Sequence, residues 1–431
     1  MRMMVGAAAL AALVLGIAVP ARAQTIDAAH VTHDPGATLL LPYFEAQVPK
    51  KIGGKAPGIN TLFSVNNASA TAILAHVTLW TDLAVPVFAF NLYLTGYDVQ
   101  TIDMVDLLNG KLPATADDAD DPTDTISNQG DLSQDINFPG SGATQPTQLD
   151  ADSVAHLRAA LTGKPSALLS GQCAGRDFAE KKPIARGFVT VDVVNNWTTR
   201  LPNEVGYFIS GGAGDVTLQN VLWGDYFFVN KSKKVGRGDA MVAVRADAVD
   251  TQTSSAGEYS FYGRITHAIA GGIPADNRQP LGSTFAGRFV NVPKHALFPS
   301  GTSALVWRDP KVNQQPFTCG APPVWFPLGQ EQIVVFDEQE NAEFSAAVPF
   351  PAAAQIVKVG GPSFPVTPTA GWLYMNLNGF VTGAATVPFE DITAGQAFVS
   401  MVFDSKGKYS VGARAIVLDD AAEAQHLILG N

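Results

Sequence analysis

Short apolar runs rich in valine, isoleucine, threonine and aromatic residues, separated by glycine, proline, asparagine and aspartate, constrain this chain more than any other feature. "TLFSVNN" (61–67), "ILAHVTLWTD" (73–82) and "VPVFAFNLYLTGYDV" (85–99) follow one another closely. Such runs are too short and too β-branched to favour helices, and their short polar breaks predict an antiparallel meander. The style returns in "GFVTVDVVNNW", "EVGYFISGG" and "NVLWGDYFFV". It returns again in "EQIVVFDE", "AGWLYMNLNG" and "AFVSMVFDSKGKYSVGARAIVL", where Asp404–Gly407 marks a hairpin turn. An all-β chain follows, with two or three antiparallel β-sandwich units.

One helix breaks the pattern. "LDADSVAHLRAALTG" offers Asp150 or Asp152 as N-cap, Gly163 past the end, and Val154, Leu157 and Leu161 as one apolar stripe. His156, beside that stripe, is expected at the surface. The expected organisation is a signal peptide (1–23), an N-terminal β unit (24–111), an acidic insert with the helix (112–163), a central β-sandwich (164–325) and a C-terminal β-sandwich (326–431).

The signal peptide rests on Arg2, the apolar run Val5–Val19, Pro20 and the cleavage site Ala21-Arg22-Ala23. Its removal leaves no run long enough to span a bilayer, so no transmembrane anchor is expected. The 28 prolines argue against a membrane barrel. An exported protein, periplasmic or extracellular, follows, and strands with Asn-rich turns behind such a leader resemble immunoglobulin-like modules of secreted bacterial proteins, a resemblance that assigns no residue a role. Its formal charge is −11 before cleavage, and the leader removes two arginines and no acid. Such a chain repels nucleic acid. In an oxidising compartment Cys173 and Cys319, the only cysteines, are expected to pair. Closing so long a loop would stabilise by up to ~5 kcal/mol.

Two features invite a ligand. Apolar runs end in Trp-x-Asp at Trp80/Asp82, Trp223/Asp225 and Trp307/Asp309. A structural reading packs the tryptophan and lets the aspartate accept turn hydrogen bonds. A functional reading makes a platform, rings for sugar faces and carboxylates for hydroxyls. The second feature is the aspartate stretch 114–135, in which Asp117, Asp118, Asp120, Asp121 and Asp124 crowd together. Calcium would take such oxygens, but the spacing fits no EF-hand, and a solvated insert explains it as well. Calcium is thus the one cofactor these aspartates suggest.

Hydrolase signatures are missing: no G-x-S-x-G, H-E-x-x-H or phosphate-binding glycine loop occurs. His30 and His33 beside Asp34 offer a weak metal motif. His76 shares a strand face with Asp82 at too great a distance to pair, so a satisfied sheet histidine is expected. Asp192, Asp225, Asp309, Asp337, Glu338 and Glu340 lie on or near strands and could supply a glycosidase pair. The sequence points to a non-enzymatic binding or surface-structural protein, its partner a protein, glycan or surface ligand. The alternatives are a glycan-acting secreted hydrolase and a subunit of a surface assembly.

Overall fold

The computed structural model describes residues 34–54, 58–114, 147–209, 214–232, 234–246, 260–262, 276–292, 298–309, 315–323, 333–344, 350–377, 396–405 and 410–418. The leader, His30, His33 and the aspartates from Asp117 to Asp124 lie outside them. Within them the chain is mostly strand, in antiparallel sheets with few helices.

Four sheets account for the named strands. Sheet I runs β10 (Val242–Val244), β1 (Thr38–Gln47), β6 (Ile184–Val194), β3 (Ile73–Thr81), β4 (Pro86–Leu94). Sheet II runs β5 (Val99–Asp103), β2 (Ile59–Asn67), β8 (Asp225–Asn230), β9 (Val235–Ala240), with β7 (Leu222–Trp223) also on β2. Sheet III runs β15 (Ala354–Lys358), β12 (Thr302–Arg308), β17 (Ala397–Asp404), β18 (Ser410–Arg414). Sheet IV runs β14 (Ala342–Phe344), β13 (Ile333–Phe336), β16 (Ala370–Asn376), β11 (Thr284–Val290), β19 (Ile416–Val417).

The period-2 alternation of strands decides how these sheets stack. On β12 and β17, Ala304, Val306, Val399 and Met401 join one core with Phe285, Ile333, Leu373 and Met375 of sheet IV. Their neighbours Leu305, Trp307, Phe398 and Val402 join a second core with sheets I and II. Sheet III is therefore an inner layer. Sheet I is another: all nine residues of β3 are buried. Its odd-numbered face is aliphatic (Leu39, Val77, Leu79, Val189, Val191), and Leu39 lies against Gly224 next to sheet II. Its even-numbered face carries Thr38, His76, Thr78, Thr190 and Asp192, all buried. The layers follow the order II, I, III, IV.

The expected meander is corrected. β3 and β4 form a hairpin, but β2 leaves them for sheet II. The central neighbour of β3 is β6, more than 100 residues away. Asn67 makes the exit tight: its amide donates to Thr71 O (2.7 Å) and Thr95 O (2.9 Å) while Ser69 N donates to its Oδ1. Strand pairing also crosses the expected unit boundaries, since β6 is central in the sheet of β1, β3 and β4, and β11 and β12 pair with β16 and β17 beyond residue 326. Pro42, lacking an N–H, coincides with a register shift between Leu41 and Phe44 in β1. Only a local bridge, Val205 with Phe208, occurs in the described part of "EVGYFISGG".

Among the described residues two short α-helices are present, not one. α2 (Ala151–Ala160) starts at Asp150, whose carboxylate accepts Ser153 N at 2.7 Å and is held below its usual pKa by that bond. Gly163 follows it at φ +70°, where a Cβ would strike the Arg176 carbonyl. α1 (Met104–Leu108), capped by Asp103, is too short to show a period. His156 is buried, against expectation: its ring bonds Ser166 Oγ (2.7 Å) and Val87 O (2.8 Å), which satisfies both nitrogens beneath β4. The expected disulfide joins Cys173 to Cys319 across 146 residues, beside a two-way backbone bridge between Cys173 and Phe317.

Candidate functional site

The three Trp-x-Asp segments occupy different surroundings. Trp80 is 1% exposed; its indole N–H donates to Thr190 Oγ1 at 2.8 Å and its ring stacks on Phe188 at 5.5 Å. Trp307 is 4% exposed, meets the edge of the same Phe188 at 5.9 Å and stacks on Phe261 at 5.6 Å. Two copies therefore converge where sheets I and III meet, with both tryptophans enclosed. Asp82 accepts Arg176 N (3.0 Å) and Nε (2.6 Å), and its backbone oxygen accepts Ala353 N (2.9 Å) at the start of β15. Burial raises the Asp82 carboxyl pKa and Arg176 opposes the rise. Asp309 accepts Gln396 Nε2 at 3.1 Å.

The third copy is on the open face of sheet II. Trp223 is 46% exposed, and Phe227, four residues on along the same face, is 52% exposed. That spacing is roughly 13 Å along a strand. Between them Asp225 accepts Ser64 Oγ at 2.7 Å; Ser64 Oγ in turn accepts Asn66 Nδ2 (3.0 Å), which also donates to Trp223 O (3.1 Å). This chain ties the carboxylate to the Trp223 backbone. Phe227 pairs with Gly238 of β9, and a Cβ at Gly238 would come within 2.7 Å of the Phe227 ring. The ring thus lies over bare backbone and turns its other face outward.

A buried ionic cluster covers the even face of sheet I. Arg278, Asp192 and Asp276 are each 0% exposed. Tyr207 and Tyr262 donate to Asp192 Oδ2 (2.7 and 2.9 Å), and Thr38 donates to Oδ1 while accepting from Arg278 Nε. Arg278 reaches Asp276 (3.3 Å) and Thr217 O (3.0 Å), and Asp276 also accepts Tyr262 N (2.8 Å). Desolvation raises Asp276, Tyr207 and Tyr262 from their ordinary values. No periodic signal marks Asp276 and Arg278 in "PADNRQP", so sequence reasoning missed this cluster. Beside it, Asn91 Nδ2 donates to Thr198 O, which makes its Oδ1 the acceptor from His76 Nδ1 at 2.9 Å. His76 is satisfied on that side only; Nε2 has no hydrogen-bond partner among the described residues, and burial lowers the ring's pKa.

The other strand carboxylates have local duties. Asp337 accepts Gln339 N, Asn341 N and Asn341 Nδ2 within its own turn, and Glu340 takes φ +66° there. Asp192 is saturated by hydroxyl donors and Arg278. Among the described residues no three His, Cys, Asp or Glu side chains gather to hold a metal. No described helix is long and apolar enough to cross a membrane.

A cleft of about 770 Å³ opens between sheets II and III. Its walls are the β8–β9 hairpin (Phe228, Lys234, Arg237) and the opposing β12 and β17 (Ser303, Asp404), and Glu45 and Arg186 of sheet I floor it. No family model matches this chain, and no curated protein and no solved structure matches it.

Proposed function

We propose that this is an exported, non-enzymatic binding protein of antiparallel β-sandwich units, immunoglobulin-like in style, that recognises a glycan or sugar-bearing surface. The open face of sheet II would make the contact, and the exposure of Trp223 and Phe227 on either side of Asp225 carries the reading. An antiparallel sheet that faces water is usually polar on that side. Here two aromatic rings stay exposed where the other two Trp-x-Asp tryptophans are enclosed. Sugar rings present apolar C–H faces that stack on such rings, and their hydroxyls suit a fixed carboxylate. The leader and the Cys173–Cys319 bond support a periplasmic or extracellular setting. Screening the purified chain on immobilised glycans tests the proposal, with Trp223→Ala and Phe227→Ala alongside. Saturable binding of at least one glycan class, lost in both variants at unchanged melting temperature, is expected. Absence of glycan binding, or equal binding of every bound glycan class by the variants, overturns it.

A further inference from the structure

The cleft between sheets II and III is a separate place from the Trp223 face, because Phe228 and Arg237 point to the opposite side of β8 and β9 from Phe227 and Gly238. Its charge is unusual for this chain. The segment 231–237, "KSKKVGR", carries four basic residues and no acid in a protein of formal charge −11. Arg186 on the floor is already committed, to Glu45 (3.1 Å) and Glu180 (2.8 Å). Lys234 and Arg237 have no carboxylate within ion-pair distance among the described residues. Arg237 is nonetheless held, its guanidinium 4.8 Å from the centre of the Phe228 ring. Lys234 projects from the hairpin turn at φ +52°.

The facing wall has a different chemistry. Asp404 lines it with no ion pair among the described residues, and Ser300, Ser303 and Ser410 line it as well. The half-buried Ile356 supplies apolar surface there, whereas Val402 is only 1% exposed. The volume, about 770 Å³, lies in the range of small-molecule clefts.

We propose that this cleft binds an acidic saccharide of one or two rings. Its anionic group sits between Lys234 and Arg237, its hydroxyls reach the serines and Asp404, and its apolar ring face lies on Ile356. A bare inorganic anion does not suit the site, because Asp404 needs a ligand that donates hydrogen bonds. A neutral sugar leaves the two cations unanswered.

Calorimetric titration of the mature, disulfide-bonded chain with digalacturonic acid tests this, with cellobiose and inorganic sulfate as comparisons. Saturable binding of digalacturonic acid is expected, at least tenfold tighter than either comparison and weakened by salt. Arg237→Gln and Lys234→Gln each weaken it tenfold or more, while Trp223→Ala leaves it unchanged. No saturable binding, equal affinity for cellobiose, or insensitivity to both charge variants overturns the proposal. Equal affinity for sulfate reduces the site to an anion hole and overturns the saccharide assignment. Loss in Trp223→Ala alone moves the binding to the open face and overturns the cleft.

Discussion

Replacing Arg278 by methionine is the sharpest perturbation of the fold. The guanidinium is fully buried between Phe208 (5.8 Å) and Tyr262 (5.9 Å), against Asp192 (3.6 Å) and Asp276 (3.3 Å). Methionine fills most of the volume but strands two buried carboxylates and the Thr217 carbonyl. Breaking a buried pair by removing one partner costs about 3–5 kcal/mol. Proton uptake caps that cost. Neutralising one carboxyl of unfolded pKa near ~3.9 at pH 7 takes about 4 kcal/mol, and each lower pH unit reduces it by about 1.4 kcal/mol. In the variant the folded carboxyl has a raised pKa, so folding takes up a proton. Its stability is fullest below the unfolded pKa and falls as pH rises towards the folded one. The expected loss is thus about 4 kcal/mol at pH 7 and about 2 kcal/mol or less at pH 5. Guanidinium unfolding followed by tryptophan fluorescence reads it, since Trp80 and Trp307 lie beside this layer. A loss under ~1 kcal/mol at pH 7, or one independent of pH, refutes the reasoning.

Other consequences are as direct. Asp150→Ala removes the cap of α2 and lowers the melting temperature at pH 7. Because the Asp150 pKa is depressed in the fold, its contribution is present above the unfolded value and is lost as pH falls through the folded one, so the gap between the two proteins narrows on acidification; a constant gap counts against the cap. Trp307→Ala opens a cavity against Phe188 and Phe261 and costs about 3–5 kcal/mol in denaturant unfolding, whereas Trp223→Ala stays within about 0.5 kcal/mol. Reducing Cys173–Cys319 without denaturant lowers stability by about 2–5 kcal/mol, read as a shift of the unfolding midpoint. For calcium at the 114–135 aspartates, a stabilising site raises the melting temperature over that in chelator, and deletion of 114–135 abolishes the difference. Identical curves for the intact chain dismiss the ion.

The sequence carried most strands because β-branched alternation is local. β3, β4, β13, β16 and the β17–β18 hairpin fall within the runs read from it, and β2 and β6 each begin two or three residues before theirs. Pairing was not local: nothing near residue 73 announces that β3 will lie against β6. β1 was obscured by Pro42, and β9 by its glycines. His156 was misjudged because a polar residue at the edge of an apolar stripe looks solvent-facing until β4 closes over it. The Trp-x-Asp repeat was legible as a pattern, but its three copies are alike in sequence. Only the stacking of sheet III on sheet I encloses Trp80 and Trp307 and leaves Trp223 outside. The ionic cluster around Arg278 left no trace, since its members come from five separate segments.

The central claim is that Trp223, alone of the three repeated tryptophans, meets the ligand. Fluorescence titration of the intact chain with a neutral glycan identified by screening, repeated with Trp223→Phe, tests it most directly. A saturable, blue-shifted change in the wild type that vanishes in Trp223→Phe is the predicted result. An undiminished change in that variant would place the ligand elsewhere and contradict the account.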